Sequence, residues 1–173
     1  DSDNHSLRFV DLRGSVPLVV NLAGSPGTPG FAANTPSTEG VPASEARFNT
    51  PTGLAADRNG NVFIADSKNN AIRMLTRIND SSRVLTVATD FLEPTAVAVG
   101  DQSGSELDIF VADTRNHAIK LFRFDLATRL MTTNRLSENQ IRTSIIAGSG
   151  SRVSGTNDSL FAEEALFNLP SGL

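Results

Sequence analysis

The sequence predicts an all-β chain assembled from repeated units, and three observations carry that prediction. A patterned segment occurs twice and begins a third time. The copies are spaced by the length of one four-stranded unit. The apolar runs between them are short and bounded by Gly, Pro, Asn and Asp, which reads as strands joined by turns.

The first copy runs Phe48-Asn49-Thr50-Pro51-Thr52-Gly53-Leu54-Ala55-Ala56-Asp57, then Asn59-Gly60-Asn61, then Val62-Phe63-Ile64-Ala65-Asp66, then Asn69-Asn70-Ala71-Ile72-Arg73. The second runs Phe91-Leu92-Glu93-Pro94-Thr95-Ala96-Val97-Ala98-Val99, passes a longer turn through Gly104, and continues over residues 107–113 to Asn116-His117-Ala118-Ile119-Lys120. The third, Phe167-Asn168-Leu169-Pro170-Ser171-Gly172-Leu173, only begins. Pro51 and Pro94 lie 43 residues apart and Asp66 and Asp113 lie 47 apart. One propeller blade takes roughly 40 to 50 residues.

In chain order, residues 1–23 read as the last strands of a preceding blade, with apolar stretches on either side of Arg13-Gly14. Residues 24–47 are a long Gly-, Ser- and Pro-rich connection, and residues 48–90 form a blade. Within it, Leu54-Ala55-Ala56 is small and apolar, as the crowded position nearest a propeller axis requires. Asn59-Gly60 predicts a type I′ hairpin turn. Residues 62–65 form a buried central strand, and Ala65-Asp66-x-x-Asn69 makes the next turn, where Asp and Asn side chains bond local backbone. Ile72 starts the third strand, and residues 84–88 are the expected outer strand. Residues 91–147 repeat this plan with longer hairpins, ending in an outer strand over 143–147. Residues 148–173 are a second long connection plus the first strand of a further blade. Such an inventory of partial blades does not close a ring, so the expectation is a fragment of a longer chain or completion by another subunit.

Pro-x-Gly-x-Ala-x-Asp, Ala-Asp-x-x-Asn and the trailing Ile-Arg or Ile-Lys resemble the NHL repeat, whose namesake position reads Asn116-His117-Ala118. The second copy departs from the pattern with Ala96 in place of the glycine. The resemblance implies an NHL-type β-propeller of about six blades when complete. This chain supplies about two full blades plus partial blades at both ends. Pro51, Gly53, Asp57, Asp66, Asn69, Pro94, Asp113, Asn116, Pro170 and Gly172 are the structural repeat positions.

Charge and composition narrow the function. A net charge of −4, with no two basic residues adjacent, argues against a nucleic-acid surface. The longest apolar stretches are far too short to span a bilayer, so no membrane insertion is expected. The chain has no cysteine, which excludes disulfides, thiol catalysis and Cys-bound zinc. Asn4, Asn79 and Asn157 each begin an Asn-x-Ser triplet, the acceptor pattern for N-glycosylation, and this favours a secreted protein over a cytoplasmic one.

No constellation points to catalysis. Asp57, Asp66 and Asp113 recur at repeat positions and read as turn residues, not as metal ligands or acid/base groups. His117 has Asn70 as its counterpart and reads as a turn residue; the other histidine is His5. Arg73 and Lys120 read as solvated positions paired with nearby carboxylates. No nucleophile elbow, metal-binding helix or phosphate loop is present. The expectation is a non-catalytic scaffold without cofactor or metal. Its partner would be another protein, or further copies or segments of the same protein that complete the propeller. The alternatives are a metal-dependent propeller enzyme of lactonase-like or amidating-lyase-like type, with its active residues in other blades, and a structural subunit of an extracellular assembly.

Overall fold

A computed structural model describes residues 1–31, 39–132, 143–148, 155, 162 and 165–173. Strands β1 (Leu7–Asp11) and β2 (Leu18–Ala23) pair as an antiparallel ribbon. A short β3 (Val41–Pro42) follows, then β4 (Pro51–Ala56), β5 (Val62–Asp66), β6 (Ala71–Ile78) and β7 (Ser81–Ala88). These five form one sheet in the order β3-β7-β6-β5-β4. The second blade contains β8 (Ala96–Ser103), β9 (Glu106–Asp113), β10 (Ala118–Asp125), β11 (Leu130–Thr132) and β12 (Ser144–Ala147), with β11 and β12 both on β10. The fold is all-β and built of propeller blades, not closed into a ring among the described residues.

The register shows that the ribbon is the outer half of a blade. Leu7 pairs with Ala23, as Ile72 pairs with Ala88 and Ile119 with Ala147. The same bulge follows each pairing, between the first and second residues of β1, between Ile72 and Arg73, and between Ile119 and Lys120.

Two apolar layers hold the sheets together. Phe63, Ile72, Met74, Leu85 and Val87 of the first blade pack on Val97, Leu107, Ile109, Val111 and Phe122 of the second. Phe63 meets Phe124 edge-on at 6.0 Å, a favoured aromatic geometry. On its other face, the first blade packs Ile64 and Val84 against Leu7 and Ala23 of the ribbon, with Ala43, Ala46 and Phe48 between. Alternation along each strand makes this possible, since successive side chains enter opposite layers. Each fully buried Phe stabilises the stack by about 1.5–3 kcal/mol.

Two local expectations are corrected. The Asn59-Gly60 hairpin is not type I′, because only Gly60 has positive φ there (81°). The Asp57 carboxylate accepts the N–H groups of Asn59 and Asn61 at 2.8 and 2.9 Å and holds a turn of a different kind. Paired positive φ occurs instead at Asn79 (49°) and Asp80 (60°), joining β6 to β7. The connection over residues 24–47 also contains a strand. Val41 pairs with Val84 and Pro42 with Arg83, so part of the connection lies along the outer edge of the blade it leads into and covers an edge that would otherwise stay unpaired.

Candidate functional site

The polar repeat residues gather at the junctions between blades, and three junctions share one construction. At each, a short turn places an Asp, a hydroxyl residue, an Asn, a left-handed residue and a cation in fixed order. The sets are Asp1-Ser2-Asn4-His5-Arg8, Asp66-Ser67-Asn69-Asn70-Arg73 and Asp113-Thr114-Asn116-His117-Lys120.

The aspartate is the hub of each set. Asp66 Oδ1 accepts the Asn49 N–H at 2.7 Å, and Asp113 Oδ1 accepts the Leu92 N–H at 2.7 Å. Asn69 and Asn116 donate their amides to the second carboxylate oxygen at 2.9 and 2.7 Å, and Asn4 donates to both oxygens of Asp1, at 3.0 Å to Oδ1 and 3.1 Å to Oδ2. The cation completes the hub: Arg73 to Asp66 at 3.2 Å, Lys120 to Asp113 at 2.7 Å, Arg8 to Asp1 at 3.0 Å. Asp66 and Asp113 therefore brace the lead-in of their own blade and not the turn they open, since neither caps the short 3-10 turn that follows.

The hydroxyl ties each blade to the next. Ser2 donates to the Pro51 carbonyl at 2.6 Å, Ser67 to the Pro94 carbonyl at 2.6 Å and Thr114 to the Pro170 carbonyl at 2.7 Å. Beside it, the left-handed residue accepts from the peptide just before that proline. Thr50 N–H donates to His5 Nδ1 at 3.0 Å, Glu93 N–H to Asn70 Oδ1 at 2.8 Å and Leu169 N–H to His117 Nδ1 at 3.1 Å. Gly53 is needed for close approach, because a Cβ there would stand 2.7 Å from the Ala96 Cα on the facing strand. A Cβ at Gly172 would meet nothing within 4 Å.

Arg73 and Lys120 differ from the solvated reading. Arg73 is 0% exposed and Lys120 is 7% exposed. A cation on alternating strand positions reads as surface, yet here the carboxylate and aromatic rings enclose it. Arg73 lies 5.0 Å from the Phe31 ring centre and 5.7 Å from that of Phe48, and Lys120 lies 5.3 Å from that of Phe91. Burial pushes the Asp66 carboxyl above the usual carboxylate range, against the opposing pull of the Asn49 N–H, the Asn69 amide and Arg73. Burial likewise lowers Arg73, which Asp66 opposes.

The first set, Asp1 to Arg8, is not among the copies that the sequence pattern marks, because no Pro-x-Gly strand precedes it. The signal that finds it is Asp-x-x-Asn followed by a left-handed residue and, two positions on, an apolar residue with its cation. Asn4, read as a glycan acceptor, is thus the repeat asparagine of that set. Asn79 sits exposed at a hairpin tip, beside a groove of about 500 Å³ lined by Glu39, Ile78, Ser81, Arg83 and Arg129. Asn157 lies outside the described residues, as does part of the second long connection.

Two further surfaces stand out among the described residues. The β1–β2 ribbon exposes Phe9, Val10, Val19 and Val20, with Val19 61% exposed. Asp101, Glu106, Asp108 and Arg123 line a small polar depression at the β8–β9 hairpin, and Arg123 donates to Asp108 at 2.8 Å. Among the described residues, no group of three or more His, Asp or Glu is placed to hold a metal ion.

A family model described as the NHL repeat matches residues 48–73, which run from the Phe48 lead-in to the buried Arg73. The chain therefore carries an NHL repeat, and the two further sets share its construction. No curated protein matches the chain.

Proposed function

We propose that this chain, whose blades are of NHL type, is a non-catalytic interaction or structural scaffold that works outside the cell. The observation that carries this reading is the use of the recurring polar residues. In each set the Asp, the Asn and the cation are bonded to one another, and the hydroxyl residue and the left-handed His or Asn are bonded to the next blade, in the manner of a framework. Their repetition has a mechanical cause, so they make poor candidates for general acid, base or ligand roles. The exposed apolar ribbon adds a surface that favours protein contact, since contiguous apolar faces on soluble domains mark association sites.

The test is association set against turnover. Light scattering and crosslinking across a concentration series would show self-association or binding to added blade segments, weakened by Val10→Asp with Val19→Asp. A monomer inert to both at high concentration would defeat the scaffold reading. Metal-dependent hydrolysis of lactones or esters by the purified chain would replace it with the enzyme reading. The extracellular location is tested separately by secretory expression: Asn79 should carry a glycan that a glycosidase removes, with the matching loss of mass, and Asn79→Gln should lack it.

A further inference from the structure

We infer that the histidine-closed blade junctions are proton-sensitive latches, while the asparagine-closed junction between them is not. This goes beyond the scaffold reading and stands without it. The three junctions are geometrically equivalent. His5, Asn70 and His117 have φ of 53°, 54° and 52°, and the peptides they accept from, at Thr50, Glu93 and Leu169, have φ of 53°, 45° and 50°. In each case the following blade offers an N–H and the turn offers a lone pair.

The lone pairs differ in one property. An imidazole Nδ1 accepts only while unprotonated, and histidine changes charge between about pH 5 and 8. A proton on Nδ1 sets two donors face to face. The Asn70 carboxamide oxygen keeps its lone pairs throughout this range. The latch therefore needs the neutral ring and is lost once the ring is protonated. At Thr50 the loss has a second consequence, because a β-branched residue rarely adopts positive φ and this bond helps to hold it there.

On the turn of His5 stand Asp1, Asp3 and Arg8, with Asp1 bonded to Arg8. From the blade it meets come Asp66, paired with Arg73, and Lys68, paired with Glu93. Around His117 stand Asp113, paired with Lys120, and Arg115, paired with Glu93. Residues 165–173, which pack on it, carry no ionisable side chain. Lys68 and Arg115 hold the Glu93 carboxyl below its usual range, so it stays ionised through the histidine transition.

Amide hydrogen exchange on the whole chain, read by NMR at pH 7.5 and pH 5.5 and corrected for intrinsic rates, tests the inference. Protection at Thr50 and Leu169 should fall about three- to tenfold, the worth of one ordinary hydrogen bond, and protection at Glu93 should hold. His5→Asn should make Thr50 insensitive, and Asn70→His should make Glu93 sensitive. Unchanged protection at Thr50 and Leu169 in the wild type overturns the inference, as does a parallel loss at Glu93. The wild-type comparison decides even if a variant does not fold.

Discussion

The lead-ins to the two full blades solve the same problem with different lengths of chain. The first is long and encloses a guanidinium: Arg73 lies by Phe31 and Phe48 and faces the Arg47 carbonyl at 3.5 Å. The second is short and encloses an ammonium: Lys120 donates to the Asp90 carbonyl at 2.6 Å beside a single ring, Phe91. The aspartate hub is the same in both. A broad planar cation needs a wide aromatic cage, which takes more chain, whereas a compact one is closed by a carbonyl a few residues from the strand end. Lead-in length and cation identity are therefore coupled.

Removing the hub should give the largest effect and expose the asymmetry. Asp66→Asn leaves Arg73 charged and buried, which costs about 3–5 kcal/mol. Asp113→Asn should cost less, because Lys120 keeps the Asp90 carbonyl and has the Asp90 carboxylate at 4.0 Å. Urea unfolding of both variants measures the difference, and equal losses would show that the cages are interchangeable.

Exchanging the cations sharpens the same point. Arg73→Lys forfeits contact with the two rings, and Lys120→Arg overfills a site closed by Phe91 and Asp90. Each should destabilise by about 1–3 kcal/mol, and the double exchange should show near-additive loss, with no rescue. Rescue would mean that charge alone matters.

How much of this was legible depends on whether a residue's role is local. The first and second blades were readable because Pro51, Gly53 and Asp57 mark a strand and its turn, and the apolar runs supply the layers. The burial of Arg73 and Lys120 was not, since the residues that enclose them, Phe31, Phe48, Phe91 and the Asp90 carbonyl, come from 25 to 42 positions upstream. A two-residue strand at Val41–Pro42 is too short for any period and contains a proline, which reads as a break. Asp57 overrode the Asn59-Gly60 turn signal by supplying a carboxylate to the loop's own N–H groups.

The starts of the lead-ins offer a third break. Gly24 and Gly148 open the long ones at φ of 90° and 87°, where a Cβ at Gly24 would stand 2.8 Å from the His5 carbonyl oxygen and one at Gly148 would strike that of His117. The corresponding residue of the short lead-in is Thr89, exposed and without positive φ. Gly24→Ala and Gly148→Ala should each cost about 1–3 kcal/mol in thermal or urea unfolding, from strain plus contact. Thr89→Ala should stay within about 0.5 kcal/mol, as exposed positions do.

The smallest effect falls on the short junction alone. Glu93 bridges the turns of both blades, with its carboxylate 3.0 Å from Lys68 and 2.8 Å from Arg115. The Lys68 hydrogen bond is the main cause of its lowered pKa, and Arg115 adds to it. Because the folded value lies below the unfolded one, the stabilisation is complete above the ordinary Glu range near pH 4.3 and disappears as pH falls through the lowered value. Glu93→Gln should remove about 0.2–1 kcal/mol at neutral pH, less in high salt, and the gap between variant and wild type should close on acidification. A gap that did not narrow on acidification would assign the bridge to packing instead of charge. Since the long lead-ins have no carboxylate at the matching positions, Thr50 and Leu169, this acid-sensitive increment belongs to the short junction.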